Sequence, residues 1–144
     1  MASRDGYEPL SPAVGWGVLH LFFRCGERVD RAAVHLAEEV ARKAGVKVVT
    51  VAVLGHKADA GFVAMGPDLW ELRQLQQGLA RAGLEPVWSY VSLTEVSEYA
   101  TAVPEEMKLA RLYPDLPPEG KRAFCFYPMS KRRWTDDNWY RLPY

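Results

Sequence analysis

Apolar side chains in this chain recur first in a short continuous run, then at every third or fourth position, then in runs again, and those changes of period predict its elements. Trp16 to Cys25 is short, aromatic and branched, and Gly26 closes it, as a strand requires. From Val29 onward Val29, Ala33, Leu36, Ala37, Val40 and Ala44 recur at helical spacing, with Arg31, His35, Glu38 and Arg42 on the other side and Gly45 ending the helix. Val46 to Leu54 is β-branched and alternates little, which predicts a strand covered on both faces and central in its sheet. Gly55 to Asp59 reads as a tight connection into a third strand over Ala60 to Met65. Pro67 and Asp68 open a second helix with a Leu69, Leu72, Leu75 and Leu79 stripe, Gly83 closes it, and Glu85 to Leu93 is a fourth strand.

The order βαββαβ over residues 15–93 is a ferredoxin-like α+β arrangement, with two helices on one face of an antiparallel sheet. Trp88, Tyr90 and the valines of the second strand cannot all be covered from that one side. A second sheet, from another domain or subunit, is therefore expected over the opposite face. Residues 1–14, with two prolines and no periodicity, read as an extended or mobile lead-in. Residues 94–98 allow a helical turn, and 99–121, with four prolines, read as a linker. Arg122 to Tyr127 then resumes as a fifth strand whose Ala123-Phe-Cys-Phe126 core would start a second sheet. The expected organisation is a ferredoxin-like domain over 15–98 and the opening of a second, incomplete one over 122–144, as if the chain were half of a larger unit.

Composition narrows the function classes. With 144 residues, 49% of them hydrophobic and 12% aromatic, the chain can bury one ordinary core and is not a disordered protein. Eighteen basic residues balance eighteen acidic ones, so no global field draws it toward nucleic acid or membrane; Lys131 to Arg133 is the one local cationic cluster. Cys25 and Cys125 lie in apolar strand-like runs without CxxC or Cys/His ligand spacing, which predicts reduced, buried thiols, a disulfide between them being the less favoured pairing. No basic-then-apolar leader is present, nor a run of roughly 18 uncharged apolar residues, so a soluble, cytoplasmic protein without a membrane span is expected. His20, His35 and His56 have no second ligand at metal-binding spacing, and each reads as structural or surface, so no metal site is assigned.

The chemistry, if any, concentrates in Cys125-Phe-Tyr-Pro-Met-Ser-Lys-Arg-Arg133 and Asp137-Asn-Trp-Tyr-Arg-Leu-Pro143, which join a strand pattern to a phenol, a thioether and cations. On residue type alone Tyr127 is a half-buried strand tyrosine bonding through its hydroxyl, Arg111 and Lys131 are solvated cations, and Met129 is core filler. Taken with Tyr90-Val-Ser-Leu-Thr-Glu-Val, Arg111-Leu-Tyr-Pro and the Gly55-His-Lys-Ala-Asp59 turn, these motifs change that picture. In this order they resemble the chlorite dismutase superfamily, specifically its coproheme decarboxylase, haem-synthesising branch.

The resemblance implies two fused ferredoxin-like domains of the dimeric α/β-barrel type per subunit, usually in a pentamer, with haem in the C-terminal domain. This chain matches the first domain and the opening of the second. By resemblance Tyr127 is the catalytic tyrosine. Its phenol is oxidised through peroxide-activated coproheme iron and takes a hydrogen from a propionate, which then loses carbon dioxide. Arg111 and Lys131 match positions that bind propionates, a fork and a point charge respectively. Pro128, Met129 and Ser130 would line the same wall, Tyr90 is assigned to packing in its strand in preference to a porphyrin contact, and Trp139 to loop packing, with a role supporting Tyr127 as the alternative. Arg132, Arg133 and Tyr140 are assigned to loop solvation and packing. The implied cofactor is iron coproporphyrin III or haem b, but none of the three histidines matches the family's iron ligand. The implied partner is therefore a chain carrying the C-terminal half, or further copies of this one.

Three function classes stay open on these grounds. The first is the N-terminal part of a coproheme decarboxylase, active only when completed. The second is a degenerate family member acting as a structural or regulatory oligomer without iron chemistry. A nucleic-acid or small-ligand module using Lys131 to Arg133 is third, and one nearby tryptophan without an RNA-binding pattern argues against it. Chlorite conversion is disfavoured, since the motifs belong to the decarboxylase branch.

Overall fold

The structure, a computed structural model, describes residues 7–97, 100, 102–130, 134–136, 138 and 141. Its elements are β1 (Gly17–Cys25), α1 (Arg31–Lys43), β2 (Lys47–Ala52), β3 (Ala60–Gly66), α2 (Leu69–Arg81), β4 (Leu84–Leu93) and α3 (Glu105–Leu112). The four strands form one sheet in the order β2-β3-β1-β4, every neighbouring pair antiparallel. The ferredoxin-like βαββαβ order is thus present.

Local chemistry sets the helix ends. Asp30 caps α1, its Oδ1 accepting the Ala33 N–H at 3.0 Å. At the other end the Gly45 N–H donates to the Arg42 carbonyl at 3.0 Å and the Val46 N–H to the Ala41 carbonyl at 3.0 Å. That pair of bonds needs a left-handed residue between them, and Gly45 supplies it with φ +91°. Val46, just past the glycine, is buried and fixes the exit of the chain into β2.

Asp68 caps α2 and does a second job. Its Oδ1 accepts the Trp70 N–H at 3.0 Å and the Leu10 N–H at 3.1 Å, while the Leu69 N–H donates to the Leu10 carbonyl at 2.9 Å. With the Tyr7 ring 5.7 Å from Trp70, the lead-in is tied to the start of α2 over residues 7–10, which the absence of periodicity there did not reveal.

The core lies between the helices and one sheet face. Leu19, Leu21 and Phe23 of β1, Phe62 and Ala64 of β3, Val48 of β2 and Leu72, Leu75 and Leu79 of α2 meet there. Phe23, Leu21, Leu75 and Leu79 are fully buried, and each contributes about 1.5–3 kcal/mol by leaving water. The two helices approach closely at Gly78, where a Cβ would stand 2.9 Å from that of Ala37.

Several expectations are corrected. β2 is an edge strand, not central; Val48 enters the core while its Thr50 hydroxyl donates to the Glu38 carboxylate. Glu38, placed on the polar side of α1, is only 5% exposed, and Leu36, placed on the apolar stripe, is 59% exposed. The helix is rotated because the buried Glu38 carboxylate meets Thr50 of β2 and, from the exposed side of α1, Arg42 Nη1 at 3.7 Å and His35 Nδ1 at 3.5 Å. Residues 94–97 form no helical turn, whereas the proposed linker contains α3, opened by Pro104 at its N-cap position.

The fifth strand is also absent: 121–130 carry no regular structure, because the stretch lies over the sheet's face rather than beside an edge that could pair it. Both cysteines are free and exposed rather than buried, Cys25 at the end of β1 and Cys125 on the outer side of that stretch. Among the described residues no helix is long and apolar enough to cross a membrane.

Candidate functional site

Side chains alternate across a strand, so with Leu19, Leu21 and Phe23 in the core, Val18, His20 and Phe22 face the other way. The register sets His20 opposite Tyr90 on β4 and Val63 on β3, and Phe22 opposite Trp88. An irregularity between Phe22 and Phe23 re-aims β4 beyond that point. The result is an aromatic patch on the helix-free face. Trp88 lies 5.5 Å from Phe22 and 6.1 Å from Tyr90, ring centre to ring centre.

Residues 124 and 126 descend onto this patch. The Phe126 ring stacks on His20 at 4.2 Å and lies 5.6 Å from Trp88, 5.7 Å from Phe22 and 5.9 Å from Tyr90. Phe124 stacks above His20 at 6.2 Å, parallel to Phe126 within 9°. The intervening and following residues turn outward, so that Tyr127 is 69% exposed and Met129 82% exposed. Pro128 and Ser130 lie exposed on the same run. Tyr127, Pro128, Met129 and Ser130 thus form one open rim, carried by a neighbour whose ring is packed on the face of the sheet.

Arg111 arrives from elsewhere. It lies exposed in the last turn of α3, whose end is bound to the start of β1 and the end of β4. The Thr94 hydroxyl donates to the Leu112 carbonyl at 2.7 Å and accepts the Trp16 N–H at 2.7 Å, the Gly15 N–H donates to the Tyr113 hydroxyl at 3.2 Å, and Trp16 meets Tyr113 edge to face. Trp16 directly precedes β1 and His20 lies four positions on, so the anchors of Arg111 and Tyr127 are separated by about 13 Å at a rise of about 3.3 Å per residue. The neighbours that carry Arg111 and Tyr127 are thus anchored at different points along β1. Lys131 lies outside the described residues, as do Arg132, Arg133, Trp139 and Tyr140.

The electrostatics of the patch are those of an apolar site. Burial pushes His20 below its ordinary value of 6.5, the Tyr90 backbone working the other way, and its Nδ1 is buried without a hydrogen-bond partner. At neutral pH His20 is an uncharged ring in an aromatic cage. At the edge beyond, Lys47 pairs with Asp115 and holds that carboxyl below its usual range. Among the described residues no three His, Cys, Asp or Glu side chains are grouped to hold a metal ion. His35 is exposed on α1, and His56 sits in the loop before β3 with its carbonyl bound by Arg24 Nη2 at 2.7 Å.

A family model described as chlorite dismutase matches residues 27–144. The chain belongs to the chlorite dismutase family. A solved structure of a heme-binding protein from Thermus thermophilus matches with a TM-score of 0.67 at 29% identity, over 95% of this chain. The chain spans only 64% of that protein's length. Within the chlorite dismutase family match lie α3, the aromatic patch's Trp88 and Tyr90, and the whole 124–130 run.

Sequence reasoning singled out Tyr127 to Ser130 but missed the aromatic contacts of the run that carries them. His20 was read as an isolated strand histidine, and Phe124 and Phe126 as strand core. The available signal was the period of two shared by His20/Phe22, Trp88/Tyr90 and Phe124/Phe126, three aromatic pairs suited to one shared surface.

Proposed function

We propose that this chain contributes the tyrosine-bearing wall of a coproheme decarboxylase site, in which iron coproporphyrin III is converted to haem b by peroxide-dependent oxidative decarboxylation of propionates. The observation that carries the reading is Tyr127: an exposed phenol adjoining Phe126, whose ring is held by four others on the sheet. Membership of the chlorite dismutase family and the likeness to a heme-binding protein support a porphyrin ligand.

The residues fit one part of that ligand and not another. The exposed Met129 thioether and Trp88 ring suit the face or edge of a macrocycle, and the exposed Arg111 suits a propionate. Iron is a different matter. His20 lies beneath two phenylalanines, His35 pairs with Glu38, and His56 is in a loop at the other end of β1 from Arg111's anchor. This reading therefore needs an iron ligand from a partner, either a chain carrying the C-terminal half or further copies of this one. When bound and treated with peroxide, the iron porphyrin supplies the oxidising equivalents. Tyr127 supplies a phenol that gives up a proton and an electron together, which helps only if it is fixed beside the propionate. Arg111 would grip a propionate carboxylate through its guanidinium, and Lys131 would add a point charge.

Tyr127→Phe tests this in the assembly that contains the iron ligand. Propionate loss with peroxide is abolished while porphyrin binding stays within about twofold, the pattern of a group needed in the reaction and not in binding. A variant that still decarboxylates refutes the role. The placement of the histidines also favours a second reading, an oligomeric scaffold without iron chemistry. Native mass spectrometry with iron coproporphyrin III separates the two: a second chain carrying porphyrin supports the enzyme, and a homo-oligomer that takes up none supports the scaffold.

A further inference from the structure

The least expected group on the helix-free face is the imidazole of His20. Its Nδ1 is buried without a partner, a cost that a leucine or phenylalanine at the same place in β1 would not carry. Packing alone therefore does not account for a histidine there. What it touches is the run that presents Tyr127: Phe126 at 4.2 Å and Phe124 at 6.2 Å, both stacked. Phe126 adjoins Tyr127, so the ring and the phenol are joined by one short stretch of backbone.

We propose that His20 is a positioning residue for Tyr127: the neutral imidazole seats Phe126 on the sheet and so holds the neighbouring phenol in place, and taking up a proton unseats the run. The inference deepens the reading of Tyr127 given above and rests on it for its functional meaning, though not for its geometry. Among the described residues, the groups facing His20 are Tyr90 on β4, Val63 on β3, and Phe124 and Phe126 on the covering run. None of these offers a carboxylate to an imidazolium. A proton on His20 would therefore put a charge on a half-buried ring packed against aromatics, favoured by the Tyr90 backbone but met by no carboxylate, and lifting Phe124 and Phe126 to admit water is the direct relief. Burial already holds the ring's proton affinity down, in the sense this requires.

The test uses the whole chain with its tyrosines fluorinated, the Tyr127 resonance being assigned by its loss in Tyr127→Phe. His20 is titrated in parallel through its ring protons, assigned by their loss in His20→Phe. The expected result is that the Tyr127 resonance moves with the His20 titration in the native chain, and stays at its high-pH position at every pH in His20→Phe, which keeps a flat ring and cannot take a proton. In His20→Leu, which keeps the volume without the stack, the resonance sits near its low-pH position throughout. A Tyr127 resonance indifferent to pH while His20 titrates overturns the proposal. So does a His20→Leu spectrum that matches the native one at high pH. In the completed enzyme His20→Leu lowers kcat by about 10- to 100-fold with KM for the porphyrin little changed, as misplacement of a reacting group does. If the resonances follow the prediction but Tyr127→Phe still decarboxylates, the function assigned to Tyr127 fails and the seat stands.

Discussion

Phe126→Ala probes how firmly the covering run belongs to the fold. Removing the ring empties a socket made by His20, Phe22, Trp88 and Tyr90, all within 5.9 Å of its centre. A fully buried phenylalanine cut to alanine costs about 3–5 kcal/mol. Phe126 is half-buried, so about half of that applies, and its edge and stacking contacts bring the expected loss to about 2 kcal/mol. For a chain of 144 residues the unfolding entropy is about 0.3 kcal/mol/K, so the melting temperature should fall by about 7 °C. Leu79→Ala, which empties a fully buried site in α2, serves as the scale with a loss of about 3–4 kcal/mol, or about 10–13 °C.

The assay is thermal unfolding followed at once by far- and near-ultraviolet circular dichroism. Coincident transitions, both lowered, show that the aromatic patch and the helix-side core melt together. A Phe126→Ala midpoint within about 1 °C of the native chain, with Leu79→Ala lowered as stated, would refute the reasoning, since a run that can be detached without loss is not held by the sheet.

Stability should also respond to pH through His20. Its folded-state affinity for protons lies below the ordinary value of 6.5, so below that pH the unfolded chain binds more protons than the native one and stability rises with pH. The contribution is fully present above 6.5 and is lost as pH falls through the folded-state value; urea midpoints between about pH 7.5 and 5 should show the slope in the native chain and a weaker one in His20→Phe. At the helix contact, Gly78→Val puts a branched side chain where even a Cβ lies 2.9 Å from Ala37, and should cost about 1–3 kcal/mol by urea unfolding. Adding Ala37→Gly should return part of that loss, and strict additivity of the two would contradict the packing.

The elements that the chain's periodicity foretold are those whose information is local. Asp30 and Gly45 mark the ends of α1 through bonds to residues within four positions, and the leucine stripe of α2 needs only the helical repeat. What local pattern could not supply were partners distant in sequence. Glu38 is buried because Thr50 reaches it from β2, and residues 7–10 are ordered by Asp68, which lies 58 positions from Leu10. β2 was read as central because a valine run suits a strand covered on both faces, yet a short edge strand above a helix layer needs apolar residues toward the core as well. The rim residues Tyr127 to Ser130 were recognisable only by resemblance. Periodicity alone had nothing to say about a phenol that points at solvent.

The misreading of 122–127 as a strand has the most to teach about the site. Alternating aromatic and other residues mark a strand because a strand has one face covered and one open. Any extended stretch laid on an apolar surface has the same period, whether or not its backbone joins a ladder. The distinction rests on what the surface is made of. A sheet edge offers amides and carbonyls and would have paired the backbone of 122–127. The face reached by Phe124 and Phe126 offers rings, and among the described residues it holds the run by those alternate side chains. That manner of attachment suits a reactive phenol: the backbone around Tyr127 is fixed through its neighbour while Tyr127 itself stays accessible. It also makes the anchoring residues as much a part of the candidate site as the phenol, and among them His20 is the one whose hold can change with a single proton.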